Sequence, residues 1–478
     1  IYEMHVGSFT PEGTLRAAAQ RLPHVVQAGF SAVQLMPIAE HSDAWGYNPR
    51  QLLALHRALG SPNDLRNFVD TAHELKLAVV VDVVLHHGAV DKNALWDYDG
   101  WEQCGNGGIY HERAGDTPWG RAFAWWKQEV VAYAASGANV WLTDYRADAL
   151  RFDSVNDLPP DVCREVTARV RGANPGALLI AELTPENPKG LFELGFDSLW
   201  CHSGLFDIVQ QQRALGRGHH GGGDWSAGWD LPRLRSAMAL HSGFTQPTHV
   251  VKYFCGSHDQ VGCANGGGHY EELKMIGGQK RFFVDQVGYD GRGDPRARCC
   301  VRAWYTANVA AAGIPMAFMG TETAQYGWWA PDPDHGFNWG LAEDEIGSSM
   351  TGFFAAVHAL RPLLPVLRCG WCNILHEDRQ NGVLAFDRVY AGKERCVCVL
   401  NAGQQHWAGT EYGVWVSGGR FEQVLASADP EFEPQGSYLL EPGAVVCNKG
   451  RGVIDSHDGK LWLNVPARCC LIFKEVYS

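Results

Sequence analysis

The sequence predicts an α/β fold: a (β/α)8 TIM barrel with a loop-rich insertion after its third strand, then a C-terminal antiparallel β-sandwich. Three observations predict it. Short apolar strand-like runs alternate with helix-like stretches over about the first 370 of the 478 residues. The runs number eight, the count that closes such a barrel. From about residue 373 the pattern changes to short strands separated by turns.

The eight runs are IYEMHV (1–6), SAVQLMPI (31–38), LAVVVDVVLHH (77–87), ALRFDSV (149–155), ALLIAEL (177–183), FDSLW (196–200), HVVKYFC (249–255) and IPMAFMG (314–320). They are short and rich in aliphatic residues, as strands buried on both faces of a parallel sheet must be. Helical periodicity in LRAAAQRLPHVVQAG, PNDLRNFVDTAHEL and PPDVCREVTARVRG places helices between them. The stretch between His87 and about Trp125 is rich in Gly, Asp and Trp and reads as an irregular insertion over about 88–125. MTGFFAAVHALRPLLPVL (350–367) reads as an amphipathic helix ending the barrel. VLAFDRV, CVCVLNA, LWLNVP and CCLIFKEV read as sandwich strands, which sets the expected domains at 1–371 and 372–478. A G-x-G-x-x-G match at Gly216, Gly218 and Gly221 carries no nucleotide reading, because no strand precedes it and no helix clearly opens from it.

Composition narrows the function. With 46% hydrophobic and 19% charged residues the chain can build large cores. A net charge of −13 argues against nucleic acid or an anionic membrane as partner and suits a neutral substrate. No apolar run reaches the 18 or so residues of a membrane span. The 14 cysteines include the adjacent pairs Cys299–Cys300 and Cys469–Cys470, which suit reduced, buried thiols better than a disulfide framework. One CxxC, CGWC at 369–372, lacks the second pair that a zinc site needs. The 18 tryptophans can stack on sugars or fill a large core. The chain starts at Ile1, already inside a strand, as a trimmed fragment would.

The chemistry sits at strand ends. In DALRFDSV (148–155) a period of two puts Arg151 and Asp153 on one face of an apolar strand, and a buried arginine is costly unless paired. Asp82, His86 and His87 close the third strand, Glu182 the fifth, and His258 and Asp259 follow the seventh. Residues at these ends point into a barrel's active site. Three carboxylates with one arginine and several histidines suit glycoside chemistry, in which a retaining enzyme needs a carboxylate nucleophile and a protonated acid about 5 Å apart. Arg151 would keep Asp153 ionised. Glu182, flanked by apolar residues in IAEL, would have its pKa raised, as an acid requires. Asp259 and His258 could bind sugar hydroxyls.

DVVLHH, ALRFDSV, IAEL and GSHDQ resemble the four ordered sequence blocks of the α-amylase family of glycosidases and transglycosidases, and the resemblance covers essentially the whole chain. It implies Asp153 as nucleophile, Glu182 as acid/base and Asp259 as transition-state stabiliser. It implies substrate-binding roles for Asp82, His87, Arg151 and His258, and for Tyr47 in WGYNP as the stacking tyrosine. The first block usually reads D-x-x-x-N-H, and His86 stands at the asparagine position. That asparagine helps hold calcium in calcium-binding amylases, so neither a metal nor another cofactor is expected. His86 itself reads as a hydrogen-bonded wall residue.

IYEMHVGSFTPEGT, LMPIAEHSDAWGYNP, the insertion, the FNW of GFNWGLAED and GKLWLNVPARCCLIF resemble α-1,4-glucan branching enzymes, which cut α-1,4 links and form α-1,6 branches. HVGSFTPEGT and SHDQVG also resemble maltooligosyltrehalose trehalohydrolase, a hydrolase, and a plain α-amylase comes third. A non-catalytic glucan-binding platform is the reading from another class. The resemblance implies an α-glucan substrate, a monomer, and a cytoplasmic or plastid-stroma location.

Overall fold

The computed structural model describes residues 1–96, 98–99, 108–112, 116–204, 208, 212, 230–240, 243–262, 280–390, 392, 394–407, 412–435, 448 and 452–477. The glycine motif at 216–221 lies outside them. The chain forms two compact units, one of residues 1–26, 30–200 and 331–336, the other of residues 27–29, 201–330 and 337–478.

The first unit begins with β1 (Tyr2–Met4) and β2 (Ala32–Leu35), then a hairpin of β3 (Ala39–His41) and β4 (Pro49–Leu55). It continues with β5 (Ala78–Val83), β6 (Ala149–Phe152), β7 (Leu178–Ala181) and β8 (Ser198–Cys201). β1, β2, β5, β6, β7 and β8 lie side by side in that order, each parallel to the next. Each sequence-predicted run contributes a shorter strand. β1 stops at Met4 because the helical turn Val6–Phe9 follows at once, with His5 at its N-cap position. The β3–β4 hairpin was not expected; its register shifts on both sides of Glu40 and breaks the alternation that would have marked it.

Helices follow the predicted stretches where capping chemistry is present. Pro62–Glu74 starts on a capping box, with the Ser61 hydroxyl accepting from the Asp64 amide and the Asp64 carboxylate accepting from the Ser61 amide. Its buried stripe is Leu65, Phe68, Val69 and Ala72. Pro160–Ala173 buries Val162, Val166 and Val170 in the same way. The described parts of the insertion are tied down by single bridges, Gly88 to Arg121 and His111 to Phe123.

In the second unit β9 (Val250–Lys252) pairs in parallel with β10 (Ile314–Pro315), followed by β11 (Ala317–Phe318). The run expected over 314–320 is thus two fragments. Pro315 has no N–H to give a ladder, and pairing resumes when the Met316 amide donates to the Lys252 carbonyl at 2.8 Å. The helix expected over 350–367 spans Glu345–Leu363, starting earlier because Asp344 caps the Gly347 amide at 2.8 Å. It ends before Pro365, and a short turn Val366–Cys369 follows.

After it come β12 (Trp371–Asp378), β13 (Val383–Tyr390), β14 (Glu394–Asn401), β15 (Tyr412–Trp415), β16 (Arg420–Ala426), β17 (Val453–Asp455), β18 (Lys460–Leu463) and β19 (Cys469–Glu475). They form a six-stranded antiparallel sheet, β12-β13-β14-β19-β16-β17, and a ribbon of β15 with β18. Val383, Val397, Val399, Leu471 and Phe473 of the sheet share one core with Val414, Leu461 and Leu463 of the ribbon. The wholly buried helix segment Ala297–Ala310 packs on β14 and β19 of this sheet. Cys369 and Cys372 of CGWC are free thiols, as are the other described cysteines. Among the described residues no helix is long and apolar enough to cross a membrane.

Candidate active site

The parallel register of the first unit builds the site. Asp82 on β5 lies beside Arg151 on β6, and Arg151 lies beside Ile180 on β7. The ladder runs on past the strand ends: the Asp153 amide donates to the Val83 carbonyl at 3.0 Å and the Glu182 amide to the Phe152 carbonyl at 2.9 Å. Asp82, Arg151, Asp153 and Glu182 therefore come together because consecutive strands end level with one another.

Arg151 is the hub and is fully buried. Its Nη1 donates to Asp82 Oδ2 at 2.8 Å and to Asp153 Oδ1 at 2.6 Å, and its Nη2 donates to Glu182 Oε2 at 2.7 Å. Its guanidinium lies 4.2 Å from the ring centre of Trp200, at the end of β8. Burial would favour losing the proton, but the Asp82, Glu182 and Asp153 carboxylates outweigh it and raise the arginine pKa well above its ordinary value. Asp153 shows the converse. Burial pushes its pKa up, but the Arg151 charge and the His86 hydrogen bond win and hold it well below the usual carboxylate range.

The three carboxylates differ in access. The Asp82 side chain is 0% exposed, whereas Asp153 and Glu182 keep 13% and 17%, so only the latter two reach solvent. Ser154, in the left-handed region at φ 36°, turns the chain so that its amide donates to Glu182 Oε2 at 2.9 Å. Glu182 is thus clamped by an arginine and an amide rather than surrounded by apolar groups. The neighbouring strand, not the apolar residues of IAEL, supplies the charge beside it.

His86 donates from Nε2 to Asp153 Oδ2 at 3.0 Å, and its Nδ1 stands 3.8 Å from Asp157 Oδ2. His87 packs edge-on against His86; burial, then the His86 charge, lowers its pKa to about 4 and keeps it neutral. The Tyr47 hydroxyl donates to Asp82 Oδ2 at 2.9 Å, and burial, then the Asp82 charge, holds its pKa well above the ordinary value. Asp43 fixes the WGYNP loop by accepting from the Trp45 amide at 3.2 Å and the Asn48 amide at 2.9 Å.

The first unit therefore brings together Tyr47, Asp82, His87, Arg151, Asp153 and Glu182. His258 and Asp259 belong to the second unit, at the start of the short helix His258–Val261. Ser257 and Gln260 form its capping box, the Asp259 amide donates to Ser257 Oγ at 3.3 Å, and His258 Nε2 lies 3.4 Å from Asp259 Oδ1. Among the described residues no group of three or more His, Cys, Asp or Glu is arranged to hold a metal ion.

Sequence reasoning missed Trp200, Asp157 and Trp119. Trp200 ends a predicted strand, which was a usable signal. Asp157 accepts from Ser154 Oγ at 2.7 Å within its own turn and from Trp119 Nε1 at 2.8 Å, the latter a contact between distant loops that no local pattern shows.

Comparison with known proteins adds a frame. The alpha amylase catalytic-domain model matches residues 6–98, and the alpha amylase C-terminal all-beta domain model matches residues 373–476. The malto-oligosyltrehalose trehalohydrolase of Arthrobacter ramosus is 39% identical over an alignment covering 93% of this chain and 82% of that enzyme. The 1,4-alpha-glucan branching enzyme of Bordetella parapertussis is 28% identical, covering 87% of this chain and 57% of the enzyme. The trehalohydrolase of Deinococcus radiodurans is 31% identical over 47% of this chain and 38% of the enzyme. The chain thus spans little more than half, or less, of the latter two. Among solved structures, an alpha-amylase from Geobacillus thermoleovorans superposes with a TM-score of 0.74 at 18% identity, over 100% of this chain and 98% of that one. That likeness bears out the expected fold class, a (β/α)8-type barrel followed by an antiparallel β domain.

Proposed function

Because the chain belongs to the α-amylase family of glycosidases and transglycosidases, we propose that it is a retaining enzyme that cleaves an α-glucosidic bond in a malto-oligosaccharide chain and delivers the glycosyl unit to water, as a trehalohydrolase does. Residues 1–371 act as the catalytic barrel and 372–478 as its C-terminal domain in this reading.

One observation carries the chemistry. A single guanidinium reaches both Asp153 Oδ1 and Glu182 Oε2. One guanidinium bridging both carboxylates holds them near each other, which favours the retaining arrangement, with carboxyl groups about 5 Å apart, over the inverting one, which needs roughly 6.5–9.5 Å to admit a water. Asp153 attacks the anomeric carbon while Glu182 gives its proton to the leaving oxygen. Glu182 then takes a proton from the incoming water, whose oxygen displaces Asp153 and restores its carboxylate. Arg151 keeps Asp153 charged for the first step. With Oε2 committed to Arg151 and the Ser154 amide, Glu182 exchanges its proton through Oε1. Asp82 and Tyr47 wall the sugar site. Asp259 and His258 enter on the resemblance of GSHDQ alone, with Asp259 stabilising the oxocarbenium-like transition state.

The acceptor is the finer question. The identity spanning 82% of the Arthrobacter trehalohydrolase favours water. The second reading, transfer to a 6-hydroxyl by a branching enzyme, is favoured by the 87% of this chain that aligns with the Bordetella enzyme. The nucleophile and acid are the same in both. The intact Asp153–Glu182 pair speaks against a glucan-binding platform without activity.

Incubation with maltooligosyltrehalose, with free trehalose measured, tests the first reading, and amylose followed by iodine colour and reducing ends tests the second. Trehalose release supports hydrolysis. Colour loss with flat reducing ends, reversed by a debranching enzyme, replaces it with branching. No turnover of either substrate, with Asp153→Ala indistinguishable from wild type, sinks both.

A further inference from the structure

The two faces of the ribbon formed by β15 and β18 differ. Val414, Leu461 and Leu463 belong to the core shared with the six-stranded sheet. With a period of two, Gly413 and Trp415 of β15 and Lys460 and Trp462 of β18 share the other face. Gly413 pairs with Trp462 across the ribbon, and Trp415 with Lys460. Trp415 is 53% exposed and Trp462 37%.

These side chains hold one another. The Lys460 ammonium stands 4.3 Å from the ring centre of Trp415 and 5.4 Å from that of Trp462, so one cation ties both indoles. Gly413 makes room for this. A Cβ there would meet Lys460 Cδ at 3.0 Å and Trp462 Cζ3 at 3.1 Å, so Trp462 lies across the bare backbone of β15. The end of the ribbon is closed by backbone hydrogen bonds. The His457 amide donates to the Lys460 carbonyl at 2.8 Å, the Lys460 amide to the His457 carbonyl at 2.9 Å, and the Val416 amide to the Gly459 carbonyl at 2.9 Å.

A single exposed tryptophan is ordinary and needs no explanation. Two on one face, with an ammonium between them, match a sugar chain. The indole faces stack on the C–H faces of pyranose rings, and the three N–H groups of the ammonium donate to hydroxyl oxygens. Rings fixed in advance avoid the entropy cost of ordering them on binding. Charge points the same way. At −13 the chain as a whole repels an anionic polymer, and a lone ammonium repels a cationic one, so a neutral, hydroxyl-rich polymer is the occupant that fits.

We infer that Trp415, Lys460 and Trp462 form a binding platform for α-1,4-linked glucosyl chains on the C-terminal β domain. None of the three belongs to the Arg151 cluster. This rests on the reading of the chain as an α-glucan-processing enzyme and adds to it a second place where polymer is held without being cut. One long chain can occupy the platform and the active site at once, which raises the effective concentration of its other segments. A short oligosaccharide fills a single site and gains nothing.

The test uses the full chain with Trp415→Ala, Trp462→Ala, both together, Trp415→Phe and Lys460→Met, each checked for native circular dichroism and for mass by light scattering. Retardation in native gels containing amylopectin gives Kd, with Asp153→Asn added to every protein so that the polymer survives. The double tryptophan variant is expected to weaken the amylopectin Kd about tenfold, and each single variant less. Trp415→Phe is expected to bind better than Trp415→Ala, and Lys460→Met to lose part of the affinity. Without Asp153→Asn, kcat on maltosyltrehalose or amylose, whichever the wild type turns over, is expected to be the same in the double variant. An amylopectin Kd unchanged in the double variant overturns the platform, as does a parent protein that amylopectin does not retard. If that variant also turns a dimeric parent into a monomer with Kd unchanged, the face is an interface between copies of the chain instead. A parent that is retarded, from a wild type that turns over neither substrate, defeats the enzymatic reading, and the Kd ratio still decides the platform.

Discussion

The imidazole Nε2 of His86 donates to Asp153 Oδ2 at 3.0 Å, so the carboxylate oxygen that Arg151 does not hold is held by a histidine. The asparagine usual at this place would offer one amide N–H in a similar direction. His86 adds a second nitrogen on the far side, facing Asp157. A carboxylate gripped at both oxygens cannot rotate about its χ2, and a fixed nucleophile is worth much of a reaction barrier.

His86→Ala is therefore expected to lower kcat about 10–100-fold, the cost of one hydrogen bond to a charged group. KM should change little. His86→Asn, which keeps a donor, is expected to recover all but about fivefold. Steady-state kinetics of the three proteins on one glucan substrate checks this. Equal kcat in His86→Ala and wild type would show that Arg151 alone orients Asp153.

Arg151 has a larger effect on the fold itself. Its removal leaves Asp82 wholly buried without its cation, and an uncompensated buried charge costs about 3–5 kcal/mol. Arg151→Ala is expected to lose that much stability in urea unfolding and to lose turnover entirely. Arg151→Lys presents one ammonium where Asp82, Asp153 and Glu182 share a fork, so it should recover part of the stability and little of the activity. If Arg151→Lys kept near-normal kcat, a point charge would suffice and the fork geometry would be irrelevant.

Acid stability turns on buried neutral histidines. His358 donates from Nδ1 to the Ala28 carbonyl at 2.8 Å and accepts at Nε2 from the Tyr305 hydroxyl at 2.8 Å, so it has no place for a second proton. Burial lowers its pKa to about 3. The unfolded chain takes up that proton below about pH 6.5, the folded chain only near 3, so the stabilisation is complete above 6.5 and is lost as pH falls between the two. From pH 6.5 to 4 this one group should remove about 3 kcal/mol. His87 and His111, each lowered to about 4, add in the same direction. Urea midpoints measured across that range should fall with acid, and His358→Gln should flatten the slope at the expense of stability at neutral pH. An unchanged slope in that variant would place the acid sensitivity elsewhere.

Much of the site was legible because its residues lie on strands with a period of two. Arg151 and Asp153 show on one face of ALRFDSV, and Asp82 lies in the preceding run, so their pairing needs only that neighbouring strands end level. Glu182 shows less in the sequence: its chain neighbours are apolar, but its charged neighbour, Arg151, is on β6. Strand register across the sheet, not sequence along it, sets that environment. Trp119 was invisible because the insertion has no period at all, and Asp157 because it falls in the turn Val155–Asp157, just past the strand. The β3–β4 hairpin escaped because its shifted register breaks alternation. In the helix Pro295–Ala310, Arg298 and Arg302 are buried and pair with Glu433, more than a hundred residues away, a contact no local pattern shows.

That pairing supplies the last prediction. Glu433 accepts from Arg298 Nη2 and from Arg302 Nη2, both at 2.5 Å, with the three side chains between 0% and 5% exposed. Glu433→Ala strands two buried cations and is expected to cost about 3–5 kcal/mol in urea unfolding. Buried ion triads can often be replaced by apolar residues without loss, but this one does more than pair charges. Arg298 also donates to the carbonyls of Arg292 and Gly293, at 2.8 and 3.1 Å, and Arg302 to those of Ser427 and Phe432, at 2.8 and 3.2 Å. Apolar replacements would leave the buried carbonyls of Arg292, Ser427 and Phe432 without these donors, each lost donor costing about 1–3 kcal/mol. The triple variant Arg298→Met, Arg302→Met, Glu433→Leu is therefore expected to remain at least as unstable as Glu433→Ala. Recovery of wild-type stability in the triple variant would show that the arginines serve only the carboxylate, and that the loop carbonyls find water instead.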